Sequence, residues 1–183
     1  MLPERIEDLI AANAMYRPGP MELIPSYCAR KNGGEAVPSV HGLVDELLAE
    51  TYGIMCYQEQ VMQVLNRLGK LTLSRALTLI KAISKKKEKT IASEKPNFLA
   101  GAQENGISQD EAEQLFDLIL KFAGYGFNKA HSTQYAIIAY QTAYFKVHYP
   151  REFMAALLTF ESGDTTKVTQ YMSEASRMGI PIA

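Results

Sequence analysis

Most of the residue patterns that announce an enzyme are missing from this 183-residue sequence. Two cysteines, Cys28 and Cys56, are too few for a disulfide framework and lack the partner spacing of a zinc site, so both read as ordinary reduced residues. No apolar run reaches the length of a membrane span, and MLPERIEDLI carries acidic residues where a secretion signal wants a basic start. The expectation is a cytoplasmic chain with no membrane partner. There is no Walker-type glycine loop, no GxGxxG, no GxSxG nucleophile turn and no metal-spaced cysteine or histidine set. Asp8, Asp45, Asp110, Asp117 and Asp164 stand singly, so the paired carboxylates that hold two metals for nucleotidyl transfer are not evident. A formal charge of -1 excludes a uniformly basic coat but can hide local patches.

What is present is a globular composition, 47% hydrophobic and 21% charged, arranged with helical periodicity. Ala112, Leu115, Phe116, Ile119, Leu120 and Ala123 fall on one face of a helix over Gln109–Ala123, with a capping box at Ser108 and Glu111 and Gly124 as its stop. The same spacing predicts helices over Val40–Glu50, Gln58–Leu68 and Leu73–Ile83. Ser132 is placed to cap one running to about His148, Pro150 to start the next as far as Phe160, and Thr165 or Thr166 to open a last one ending near Gly179. Only a stretch such as Gly53–Tyr57 reads as extended. The fold class expected is therefore all-α, with little or no strand, as a single domain over residues 1–183 and a possible subdivision near residues 30–40.

The breaks carry their own information. Tyr16-Arg17-Pro18-Gly19-Pro20 must be a rigid turn, because two prolines fix φ and remove donors around a glycine. Lys31 to Pro38 is a loop, Pro96 interrupts the lysine-rich segment, and RMGIPIA reads as a cut from a longer chain.

Three stretches could carry chemistry. Lys81 to Lys95 holds six lysines against two glutamates, with Ile80, Ile83 and Ile91 to anchor them. Lys81, Lys85, Lys86 and Lys87 would attract phosphates by charge and counterion release; the bland alternative is a solvated helix end. In Tyr125-Gly-Phe-Asn-Lys-Ala-His-Ser132, the glycines admit unusual backbone, free N–H groups of the next helix offer an anion site, and Lys129 adds charge. There Asn128 and His131 can hydrogen-bond, and Tyr125 and Phe127 offer flat faces for a base. Its plain alternative is a capped helix-helix turn. Third comes Tyr57-Gln58-Glu59-Gln60, whose Glu59 is a possible base or metal ligand but more economically a helix-dipole partner. His41 and His148 read as surface or capping residues, and the scattered tyrosines as core.

Taken together, NAMYRPGPM at Asn13–Met21, TYGIMCYQEQVMQV at Thr51–Val64, SKKK at Ser84–Lys87, KFAGYGFNKAHSTQYAIIAYQTAYFKVHYPREFMAALL at Lys121–Leu158 and TTKVTQYMSEASRMGI at Thr165–Ile180 resemble the bacterial C-family replicative DNA polymerases. The blocks lie in the family's order over nearly the whole chain. The resemblance implies the fingers domain, a helical module that closes over the incoming deoxynucleoside triphosphate and the nascent primer-template pair. It implies that Lys81, Lys85, Lys86 and Lys87 hold the triphosphate, that Asn128, Lys129 and His131 lie near the nucleotide, and that Arg17 and Gln58 contribute. It also implies that Mg2+ is held by palm aspartates preceding this region, so that the chain alone would be inactive as a nucleotidyltransferase. The sliding clamp and other replisome subunits would be met through other domains. One departure stands out: the family writes an arginine pair and Ala-Met-Gly before its lysines, whereas Ile80-Lys81-Ala82-Ile83-Ser84 stands here. Lysine leaves a point charge without bidentate geometry. That departure raises a first alternative, a non-catalytic helical module binding DNA or nucleotides; a purely structural helical scaffold is a further one.

Overall fold

A computed structural model describes residues 1–182. Among these described residues are ten α-helices: α1 Ile6–Met15, α2 Ile24–Lys31, α3 Gly42–Leu48, α4 Gln58–Gln63, α5 Leu73–Ser84, α6 Glu88–Glu104, α7 Gln109–Ala123, α8 Lys129–His148, α9 Pro150–Phe160 and α10 Thr165–Arg177. Short 3-10 turns at Pro20–Leu23 and Ala49–Thr51 and one π-turn at Val64–Leu68 complete it. Among the described residues, the extended pairing is a single isolated parallel bridge between Tyr57 and Phe127, so the all-α class holds. Two compact units divide the chain, Met1–Tyr135 and Ala136–Ala183.

The core of the first unit follows from the predicted stripe of α7. Leu115, Phe116 and Ile119 are buried against Val61, Leu65, Leu68, Leu79, Ile80, Phe98 and Ala102. Phe98 and Phe116 meet with ring centroids 5.4 Å apart, and truncating such a buried ring costs about 3–5 kcal/mol. The capping box is present: Ser108 Oγ accepts from the Glu111 N–H at 3.3 Å, and Glu111 Oε2 accepts from the Ser108 N–H at 3.1 Å.

Several local expectations are corrected. Pro96 does not interrupt the lysine-rich segment; α6 runs through it from Glu88 to Glu104. Pro96 is exposed, while Phe98 is buried and Ile91 packs against the core, so core contacts on both sides offset one missing helical hydrogen bond. Ser132 is not the cap of α8, which starts at Lys129. The cap is Asn128, whose Oδ1 accepts from the His131 N–H at 2.8 Å; the buried Ser132 hydroxyl instead donates to the Ile10 carbonyl at 2.7 Å.

In α1, Ile10 and Ala14, and likewise Ala11 and Met15, lie one turn apart and are buried, together with one carboxylate, Asp8. That carboxylate takes the Tyr27 hydroxyl at 3.1 Å and the Glu4 N–H at 3.0 Å, with Lys31 Nζ at 3.5 Å. Burial works to raise its pKa, but these hydrogen bonds and the lysine charge prevail and hold it below the usual carboxylate value.

In the second unit α9 packs on α10, burying Met154 and Ala175, and Lys146 of α8 pairs with Glu174. Tyrosines read from sequence as core are mostly on the surface: Tyr135, Tyr140, Tyr144 and Tyr149 are exposed, and Tyr144 stacks with His148 at 4.4 Å. None of the helices is long and apolar enough to cross a membrane, among the described residues.

Candidate functional site

Three of the singled-out segments meet at the Tyr57–Phe127 bridge. The Gln58 N–H donates to the Phe127 carbonyl at 2.9 Å and the Phe127 N–H to the Cys56 carbonyl at 3.1 Å. Gly126 is small for this reason: a Cβ there would lie 3.1 Å from Gln58 Cα. Neither Gly124 nor Gly126 has positive φ, so the unusual backbone expected of them is absent and close approach takes its place at Gly126. The Pro18-Gly19-Pro20 turn enters from the other side. Arg17 donates through Nε to the Ala14 carbonyl at 2.9 Å and through Nη2 to the Tyr125 carbonyl, and its guanidinium lies 4.6 Å from the Phe127 ring centroid. Burial lowers the Arg17 pKa. No carboxylate pairs with Arg17 among the described residues, so its charge is answered by carbonyl dipoles and a ring face.

Lys129 is placed differently. Its ammonium pairs with Glu50 Oε2 at 2.7 Å, 5.3 Å from the Tyr57 ring centroid, and its backbone N–H donates to Glu59 Oε2 at 3.0 Å. The free N–H groups expected at the start of α8 are therefore largely taken, by Glu59 at Lys129 and by Asn128 at His131. A carboxylate already satisfies the positive end of the helix. Glu59 is thus a dipole partner as its position suggested, but of α8 rather than of its own α4. His131 is exposed, with its ring 5.6 Å from Phe127 and 4.7 Å from Tyr135. Cys56, buried beneath this junction, has its thiol pushed up to about 12 by burial and then by the Glu50 charge, which removes it from nucleophilic chemistry.

The lysine segment folds into a tight corner rather than a helix face. Lys81 is in the last turn of α5, Lys85 caps it, and Lys86 takes the left-handed conformation at φ 52. The Lys86 N–H donates to the Ile83 carbonyl at 3.0 Å and the Lys87 N–H to the Ala82 carbonyl at 2.8 Å, the paired bonds of a Schellman stop in which glycine is usual. Lys81, Lys85, Lys86, Lys87 and Lys89 are all exposed and make no ion pair among the described residues, whereas Arg67, Lys70, Arg75 and Lys95 each have a carboxylate. This corner and the glycine turn are neighbours: a Cβ on Gly124 would lie 4.0 Å from Ile83 Cγ2.

A cleft of about 320 Å³ opens beside Tyr125, lined among others by Met15, Gly19, Glu22, Lys121 and Phe122. Lys121 is a further unpaired cation at the end of α7 that sequence reading passed over, and Glu50 was passed over as well; as single charges in helical contexts neither gave a signal. Among the described residues no three His, Cys, Asp or Glu side chains group as a metal site.

Residues 1–106 match the family described as the bacterial DNA polymerase III alpha subunit finger domain. Over 98% of its length the chain is 45% identical to the DNA polymerase III subunit alpha of Thermus aquaticus, and 46% identical over 98% to that of Borreliella burgdorferi. The Campylobacter jejuni protein of the same description is 44% identical over 98% of the chain. The chain spans only 15% of the Thermus aquaticus protein, 16% of the Borreliella burgdorferi protein and 15% of the Campylobacter jejuni protein. With the match covering more than half of its residues, the chain belongs to the bacterial DNA polymerase III alpha subunit finger domain family.

Proposed function

We propose that this chain is the part of a replicative DNA polymerase that receives the incoming deoxynucleoside triphosphate and the nascent primer-template pair. The observation that carries the reading is the junction itself: Arg17, Gln58 and the Tyr125–His131 turn, distant in sequence, are tied together at the Tyr57–Phe127 bridge beside an unpaired lysine corner. Arg17 supplies charge not consumed by a carboxylate, Tyr125 and His131 supply exposed rings, and Lys81, Lys85, Lys86 and Lys87 supply cations for phosphates. Phosphoryl transfer asks chiefly for positioning and charge neutralisation, which such donors provide. In this reading the Mg2+ of the reaction would be held by palm carboxylates outside this chain. DNA, and through other domains the sliding clamp and replisome subunits, are the partners of this reading.

The test is steady-state nucleotide incorporation by the polymerase carrying this chain. Lys129→Ala or His131→Ala raises the KM for nucleotide or lowers kcat without unfolding the protein. Wild-type kinetics from both variants would remove the Tyr125–His131 turn from the nucleotide site.

A further inference from the structure

Glu50 stands at the Ala49–Thr51 turn, just before Tyr52, a non-glycine residue in the left-handed conformation at φ 53. The Glu50 carbonyl is held by Arg5 Nη2 at 2.9 Å, so the main chain is fixed and only the side chain is free to move. The carboxylate is poorly provided for. Oε2 receives the Lys129 ammonium at 2.7 Å, while Oε1 is buried with no hydrogen-bond partner. A buried acceptor without a donor has lost the hydrogen bonds that water would give it. Both side chains are about one-third exposed, 37% for Lys129 and 31% for Glu50, so solvent and a ligand can reach the pair. Ion pairs this exposed are weak, because solvent screens them.

From this geometry we infer that Glu50 is a displaceable counter-carboxylate: it neutralises Lys129 when no nucleotide is bound and yields the ammonium to a phosphate oxygen when one arrives. The inference rests on the nucleotide reading of the Tyr125–His131 turn. Carboxylate and phosphate offer the ammonium the same kind of anionic oxygen, and phosphate carries more charge. Exchange releases Glu50 to swing outward, where Oε1 regains water, so rehydration offsets the broken pair. Lys129 stays in place during the exchange, because its N–H remains on Glu59 and its ammonium remains over the Tyr57 ring. The two glutamates thus differ in role: Glu59 is a fixed partner of the helix start, and Glu50 is a competitor for the substrate's site.

The experiment is nucleotide incorporation by the polymerase carrying Glu50→Gln, with Glu50→Asp as the second variant should the first fail to fold. The amide keeps the shape of the side chain and an acceptor oxygen but removes the competing charge. The expected result is a KM for nucleotide lowered about threefold to fivefold, the equivalent of the pair's roughly 1 kcal/mol, and a steeper rise of KM with salt than in the unmodified protein. Glu50→Asp, whose shorter reach loosens the pair, lowers KM in the same direction. A KM that is unchanged or raised in these variants, while Lys129→Ala raises it, overturns the displacement and leaves Glu50 a structural partner. No effect of Lys129→Ala overturns the displacement, and no effect of His131→Ala either overturns the nucleotide reading beneath it as well.

Discussion

Gly19 sits against the ring of Tyr125: a Cβ on Gly19 would fall 2.7 Å from Tyr125 Cε1. Gly19 also has φ +97, in the region that L side chains rarely enter. Gly19→Ala therefore meets both strain and collision, a cost of about 1–3 kcal/mol. The exposed Tyr125 ring must turn aside, out of the position it holds beside the Pro18-Gly19-Pro20 turn. A lowered midpoint of thermal unfolding together with a raised KM for nucleotide is the expected outcome. An unchanged midpoint would show that the turn absorbs the methyl group.

Asn128 has two candidate duties, capping α8 and facing a nucleotide, and substitution separates them. Asn128→Ala removes the acceptor of the His131 N–H and costs about 1 kcal/mol of stability. Asn128→Ser keeps a capping oxygen. Restored thermal stability in the serine variant with KM still raised assigns a nucleotide contact to the amide; recovery of both leaves only the cap.

How much of this was legible in the sequence depends on whether a residue's partner lies nearby along the chain. The α7 stripe and its Ser108–Glu111 box depend on residues three and four apart, and they stand where periodicity places them. The cap of α8 was misassigned because Ser132 and Asn128 are both good capping residues, and only the Ile10 carbonyl, 122 positions away, decides which one turns inward. The pairing of Glu50 with Lys129 spans 79 positions, and no local pattern announces it. Motif content singled out segments that meet at the Tyr57–Phe127 bridge; which of their charges remain unpaired was a tertiary fact.

Asp8 should make folding sensitive to acid. Its folded pKa lies below the unfolded value of about 3.9, so its contribution is present at neutral pH and is lost as pH falls through the folded value. Asp8→Asn is expected to be less stable than the unmodified protein at pH 7, with the difference shrinking below about pH 4. Denaturant titrations at the two pH values check this. A difference independent of pH would assign the loss to packing around Tyr27 rather than to charge.

Lys86 occupies a left-handed position where glycine is the usual residue, at a cost of about 1–2 kcal/mol. The Lys86 N–H closes the Schellman stop, while its exposed side chain makes no ion pair among the described residues, so strain and charge are separable by substitution. Lys86→Gly removes strain and charge together. Stability should rise by about 0.5–1 kcal/mol, because the relief exceeds the added entropy of the unfolded chain. If the corner meets phosphates, the slope of log affinity for primer-template DNA against log salt falls by about 0.9, the value of one lost contact. Lys86→Ala is the control, losing the charge while keeping most of the strain, and it should lower the slope equally without the gain in stability. A slope unchanged in both variants, with Lys86→Gly more stable, would make the corner a solvated helix end.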